Sequence, residues 1–505
     1  MRKTLWMLMV AAGFWQSCGV SKSSFNPNRK YSLQEVQKDY SLFQNILEEY
    51  HPGLYWYTTK DSMDYFFRSG NERLHDSMSE PEFRRVISYV TSKMDCGHTT
   101  VRYSKRYSKY SDTVRARSFP LSLKIWPDTA VVAANLFRRD SILKRGTVIK
   151  AINNKSIEYI TDSLFQFLSA DGYNRTHKFQ TLSNRANFGT LYTSVFGMRP
   201  DYQIDYLDGV GKIKTITIPL YNPASDTTLR AIIRPITSQL PLTIRELKKI
   251  RLASTRFFRI DSANQDAFMN LNSFGRGNHL RKFFRTSFRT LCQKKSEYLV
   301  IDVRGNGGGS VTNSTFFSRF LANHSFKIAD SLYAINNKSH YGHYIQNHFF
   351  TRLFLLFFTR RKHDGYYHFG YFERHHFKPK HKNHFDGKVY ILTGGNSFSA
   401  TTLFISSIYK QKNVILVGEE TGGGAYGNTA WLLPDVTLPS TGVRFSLPLF
   451  RLVIDKNIPK NGRGILPEVE ADPSVDAIRR GADYKMDKVM ELIRNDRTIK
   501  NGNAH

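Results

Sequence analysis

Cysteine is scarce in this chain, three in 505 residues, and that excludes a scaffold built from disulfides. Whether Cys96 and Cys292 pair is left open by the sequence. Acidic residues are in short supply too, 42 against 73 Lys and Arg, giving a formal net charge of +31. Such a balance points to nucleic acid or an anionic membrane surface as partner, and no nucleic-acid motif accompanies it. Long apolar runs are missing: Leu5 to Phe14 is too short to span a bilayer. With Met1-Arg2-Lys3 before it and Ser17-Cys18 after it, residues 1–18 read as a lipoprotein-type export signal, with Cys18 as the lipidation site. Simple secretion with Cys18 removed or unused is the alternative. The histidines of the 349–385 stretch lack ligand spacing, so no metal or other cofactor is expected.

What is present suffices for two or three cores, since 40% of the residues are hydrophobic. Residues 30–100 read as a helical segment. Ser32-Leu33-Gln34-Glu35 is a capping box followed by Val36, Tyr40, Phe43 and Leu47 on one face, and His51-Pro52-Gly53 stops the helix. A second box, Ser79 to Glu82, opens a helix that runs into Asp95-Cys96-Gly97-His98-Thr99-Thr100. Between 115 and 222 the pattern changes to short strands and turns, and 224–256 reads as a basic helical connector. Strand patterning resumes at Phe257 and opens a domain over 257–492 that carries an insert at 340–386. Within that insert, FFTRLFLLFF is followed by Arg360-Arg361-Lys362, a mixture suited either to a lipid headgroup boundary or to a hairpin packed on the enzyme.

The chemistry concentrates in KVYILTGGNSFSATTLF, residues 388–404. A short apolar strand ends in Thr393-Gly394-Gly395-Asn396 turn residues, which places Ser397 and Ser399 where a helix begins. A hydroxyl there sits beside unpartnered N–H groups at the positive end of a helix dipole, so an oxyanion formed next to Ser399 is stabilised. The bland expectation is that both serines cap the helix. A second buried strand, Tyr298 to Val303, also ends in glycines, and VGEETGGGA follows at 417–425. Neither Gly loop continues into Gly-Lys-Ser/Thr, which disfavours a phosphate cradle.

DVRGNGGG at 302–309, NSFSATTLF at 396–404 and VGEETGGGA at 417–425 together resemble the C-terminal processing peptidases, or tail-specific proteases. The tricorn core protease and the retinoid-binding protein repeats are relatives of that group. The resemblance implies an α/β fold: a catalytic domain with a mixed sheet and ββαβ-type crossovers of the ClpP/crotonase kind, a helical N-terminal segment, and a PDZ-like β-rich insert over 115–222 centred on Gly146 to Asn154. It implies Ser399 as nucleophile, with Ala400 and Gly308 supplying oxyanion N–H groups. Where the Ser/Lys branch has its lysine, this chain has Gly424, so the base has to come from elsewhere. The Gly-His-Thr-like motif of the tricorn-like branch points to His98. The third place falls on Asn461, with Asp455 as its rival. The expected function is that of an exported serine peptidase acting on proteins or peptides at the cell envelope. Its contact with the membrane would run through the lipid anchor and the 349–382 stretch. The alternative is an inactive relative that binds peptides or hydrophobic ligands.

Overall fold

The computed structural model describes residues 25–226 and 242–502. The expected export signal with Cys18, and residues 227–241 of the expected connector, lie outside the described residues. Both capping boxes form, at α1 (Leu33–Tyr50) and at α3 (Glu80–Ser92), with α2 (Lys60–Asn71) between them. In each, the serine oxygen receives the Glu N–H while the Glu carboxylate takes the serine N–H, so two orphan donors of the first turn are satisfied. The apolar stripes, among them Val36, Phe43, Phe83 and Ile87, share one core with Leu403, Phe445 and Leu452 of the C-terminal half. The helices therefore deliver the chain after α3, with His98, onto the catalytic domain.

The next portion has a core of its own, including Leu123, Ile149 and Phe188. Five strands pair antiparallel in sequence order: β1 (Leu121–Trp126), β2 (Thr129–Asn135), β3 (Val148–Ile152), β4 (Asp201–Leu207) and β5 (Ile213–Pro219). Helices α4 (Ile157–Phe165), α5 (Arg175–Ser183) and α6 (Asn187–Phe196) fill the long β3–β4 connection. After α7 (Ile244–Thr255) the chain enters the central sheet.

That sheet is mixed. It runs β6 (Arg256–Ile260), β7 (Ala267–Leu271), β8 (Tyr298–Asp302), β12 (Lys388–Thr393), β13 (Val414–Gly418) and β16 (Val469–Glu470), with only β6–β7 antiparallel. Both faces are covered, which is why its central strands are apolar throughout instead of alternating. Leu299, Ile301 and Ile391 face α8 (Leu280–Lys294) and α9 (Val311–Ser318), while Val300, Tyr390 and Val417 face α12 (Tyr484–Gly502). The fold is thus mixed α/β, and the carboxyl ends of β8, β12 and β13 release the three Gly-containing loops side by side, where open α/β sheets bind ligands.

A second sheet joins β9 (Ser331–Ala334), β10 (Arg360–Arg361), β11 (Tyr367–His368), β14 (Gly427–Asn428) and β15 (Arg451–Val453) in the order β10-β11-β9-β15-β14. The 340–386 stretch supplies α10 (His348–Phe358) and the β10–β11 hairpin, and buried Glu373 accepts the Leu332 N–H at 2.8 Å. It is woven into the sheet through the β9–β11 pairing.

Candidate active site

Ser399 follows β12 and the Gly394–Phe398 turn and immediately precedes α11 (Ala400–Ser406). Its backbone sits at φ 57°, ψ −122°, a strained conformation for a residue with a Cβ, and its side chain makes no capping hydrogen bond. The capping role expected of both serines therefore does not fit Ser399. Ser397 is the structural one: fully buried, its hydroxyl donates to the Val303 carbonyl at 2.9 Å and receives the Gly394 N–H at 3.2 Å. This ties the end of β8 to the turn after β12.

Two glycine loops press on Ser399. Gly308 has φ 99°, and a Cβ there would stand 2.7 Å from Ser399 Cβ and 2.9 Å from Ala400 N. A Cβ at Gly423 would lie 3.2 Å from Ser399 N. The three motifs thus converge on one residue. Ala400 N–H opens α11, where no intrahelical acceptor exists. Gly308 N–H, the other expected oxyanion donor, is engaged here by the Asn306 side-chain oxygen at 2.9 Å.

His98 lies in the loop after α3, and its Nδ1 faces Asp171 Oδ1 at 3.3 Å. Both side chains are nearly inaccessible, 4% and 3% exposed. Asp171 also accepts the Gly97 N–H at 2.9 Å and the Gly424 N–H at 3.4 Å. A carboxylate at Nδ1 holds the proton there and leaves the lone pair of a neutral imidazole on Nε2. That Nε2 is buried and has no partner. The His98 ring packs 4.6 Å from Phe398, whose other neighbour is His177 at 4.8 Å. Burial pushes the His177 imidazole down, and its Nδ1 donates to the Gly395 carbonyl at 2.6 Å. His51, pushed down to about 3 by burial, supports the motif from behind through Thr99 Oγ1 at 2.8 Å. Ser399 Oγ and His98 Nε2 share no hydrogen bond in this conformation. Cys96 and Cys292 are both free thiols.

Asn461 is not beside the imidazole. It is exposed and its side-chain oxygen accepts the Arg463 N–H at 3.1 Å, while Asp455 takes the Lys410 ammonium at 3.1 Å. The turn containing Asn461 packs behind the Asp171 loop, with the Tyr173 N–H donating to the Gly462 carbonyl at 2.9 Å. The side chain beside the imidazole is that of Asp171, and the expected Asn461 does not reach it. Asp171 lies 73 positions from His98 within the β-rich portion, and no spacing rule connects the two. Glu420 clamps the loops together, accepting from Arg463, the Gly464 N–H and Asn174. A cleft of about 600 Å³ opens beside them, lined in part by Trp126, Tyr173, Phe179 and Leu466.

Residues 267–471 match peptidase family S41. This segment of the chain belongs to that family. The S41 match covers the three motifs around Ser399, whereas His98 and Asp171 lie upstream of it. No curated protein matches the chain. Among solved structures, mature CPAF in complex with lactacystin is similar with a TM-score of 0.62 at 13% identity, over 91% of this chain and 98% of that one. Mature CPAF alone gives 0.62 at 14%, over 92% and 98%. At such identity the likeness is one of fold. S41 membership makes this a peptidase domain, and protein or peptide chains its substrate class.

Proposed function

We propose that the protein is a serine-type peptidase in which Ser399 is the nucleophile, His98 the base and Asp171 the group that holds the imidazole. The observation that carries this reading is the buried, unpartnered Nε2 of His98 with Asp171 fixed at its Nδ1, on the loop that packs against the Ser399 turn. Ser399 Oγ attacks the scissile carbonyl carbon while Nε2 takes its proton, and the oxyanion receives the Ala400 N–H and a Gly308-loop N–H. His98 then gives the proton to the leaving amine, and water activated by the same Nε2 releases the acyl group. Reaction requires Oγ and Nε2 to come within hydrogen-bond reach, about 2.6–3.2 Å, and the Gly308 N–H to leave Asn306.

Ser399→Ala and His98→Ala should each remove most casein hydrolysis, by similar factors, because members of one unit are not additive. Near wild-type cleavage by His98→Ala would sink the mechanism. The engaged Gly308 N–H and the Phe398 ring against His98 favour a second reading, a relative that binds peptides without cleaving them. Covalent labelling by a fluorophosphonate decides: modification of Ser399 supports the peptidase, and no labelling of a folded chain supports the binder. We further propose export with lipidation at Cys18, motivated by the charged start, apolar run and Ser17-Cys18. Mass spectrometry of the mature chain tests it, and an unmodified N-terminus elsewhere would reject it.

A further inference from the structure

Among the described residues, α10 carries a cluster of exposed apolar side chains outside the site. Leu355 is buried at 3% exposure, and Phe354 packs on Phe369 at 5.2 Å and Phe450 at 6.2 Å, so one side of the helix is fixed to the body. At 100° per residue, Phe349, Phe350, Leu353, Leu356 and Phe357 fall on an arc of roughly 120° opposite Leu355. Phe349, Phe350 and Phe357 are 66%, 71% and 68% exposed, and Phe358 at the helix end is 58% exposed. Single exposed apolar residues need no explanation, but a contiguous phenylalanine arc on a rigid helix does.

Its border is mainly basic, the nearest carboxylate in sequence being Asp364 at the hairpin tip, which pairs with His368. Residues 348–363 contain Arg352, Arg360, Arg361 and Lys362 and neither Asp nor Glu. The Arg360 guanidinium donates to the carbonyls of Phe357 and Thr359, and Arg361 Nε to that of Gly365, so these cations are held at the helix end by neutral acceptors. Of this group, only Lys362 meets a carboxylate, that of Glu373. Among the described residues no helix is long and apolar enough to cross a membrane.

We propose that the exposed face of α10 docks onto an anionic lipid surface, its phenylalanines entering the headgroup boundary while Arg352, Arg360 and Arg361 meet the lipid charge. A second copy of the chain is the weaker occupant, because self-pairing would set these arginines against themselves in a molecule of net charge +31. The proposal does not depend on the peptidase chemistry, nor on Cys18.

The test uses the full chain with Cys18→Ser and Cys292→Ser, an environment-sensitive dye on Phe357→Cys, and a control dye on Val210→Cys, a position 79% exposed in the β4–β5 turn. Vesicles of phosphatidylcholine with phosphatidylglycerol should brighten and blue-shift the Phe357 probe and leave the control unchanged. High salt should reverse the effect, and Arg360→Gln with Arg361→Gln should weaken vesicle binding roughly thirtyfold. Thermal melts of every variant confirm that the fold persists. No response to vesicles, or an equal response to pure phosphatidylcholine, overturns the proposal. A blue shift that grows with protein concentration in the absence of vesicles overturns it in favour of self-association.

Discussion

His98 and Asp171 meet at 3.3 Å although they come from different parts of the chain, His98 from the loop after the N-terminal helices and Asp171 from the β-rich portion. The proposed catalytic set is therefore completed only where these two parts touch. Asp171→Asn should lower kcat by at least about a hundredfold with little change in KM, since the amide no longer favours the Nδ1–H tautomer. Asn461→Ala and Asp455→Ala should stay close to wild type. The reverse order of effects would return the third role to the terminal turn.

The strained backbone of Ser399 predicts a trade between stability and chemistry. Ser399→Gly relieves φ 57° and should raise stability by about 1 kcal/mol in thermal denaturation while abolishing hydrolysis. Ser397→Ala should act the other way. It removes two buried hydrogen bonds, costs about 1–3 kcal/mol and retains the nucleophile. A stabilised Ser397→Ala variant would contradict both assignments.

Much of this was legible in the sequence because the signals are local. Capping boxes announce α1 and α3, and glycines mark the turns at Gly308, Gly423 and Ser399 because close backbone approach leaves no room for a Cβ. Asp171 was not legible, since its partners Gly97, His98 and Gly424 come from two distant loops. Nor did the sequence show that the 349–385 stretch feeds a strand into the second sheet. Its strands are two residues long, too short for any periodicity to register.

Asp95, beside the His98 loop, sets a pH dependence. Burial raises its carboxyl from 3.8 to about 6, so the folded state binds the proton more tightly than the unfolded state does. Its contribution is therefore most favourable at or below pH 3.8 and is lost as pH rises through about 6. Asp95→Asn keeps the neutral shape and tolerates the positive φ of 49°. It should stabilise the protein by about 2 kcal/mol at neutral pH and by little at pH 4, read from urea midpoints. Equal stabilisation at both pH values would rule out a titrating Asp95.

Removal of residues 349–382 should unfold more than a surface hairpin. It takes away β11, which pairs with β9, together with buried Leu355 and Glu373. Circular dichroism should report loss of the cooperative melt, whereas Phe357→Ser with Phe358→Ser should leave the melt within about 1 kcal/mol of wild type. A deletion variant that melts like the parent would show that the second sheet stands without this segment.

The spread of the proposed set along the chain also bears on the time before folding is complete. A growing chain that has built only its first helices holds an imidazole with no carboxylate beside it. One that has added the β-rich portion still has no nucleophile, for Ser399 comes more than two hundred residues after Asp171. Every fragment that holds the proposed set has to span residues 98–399, so a chain cut short before Ser399 would lack a complete set whatever else it had folded.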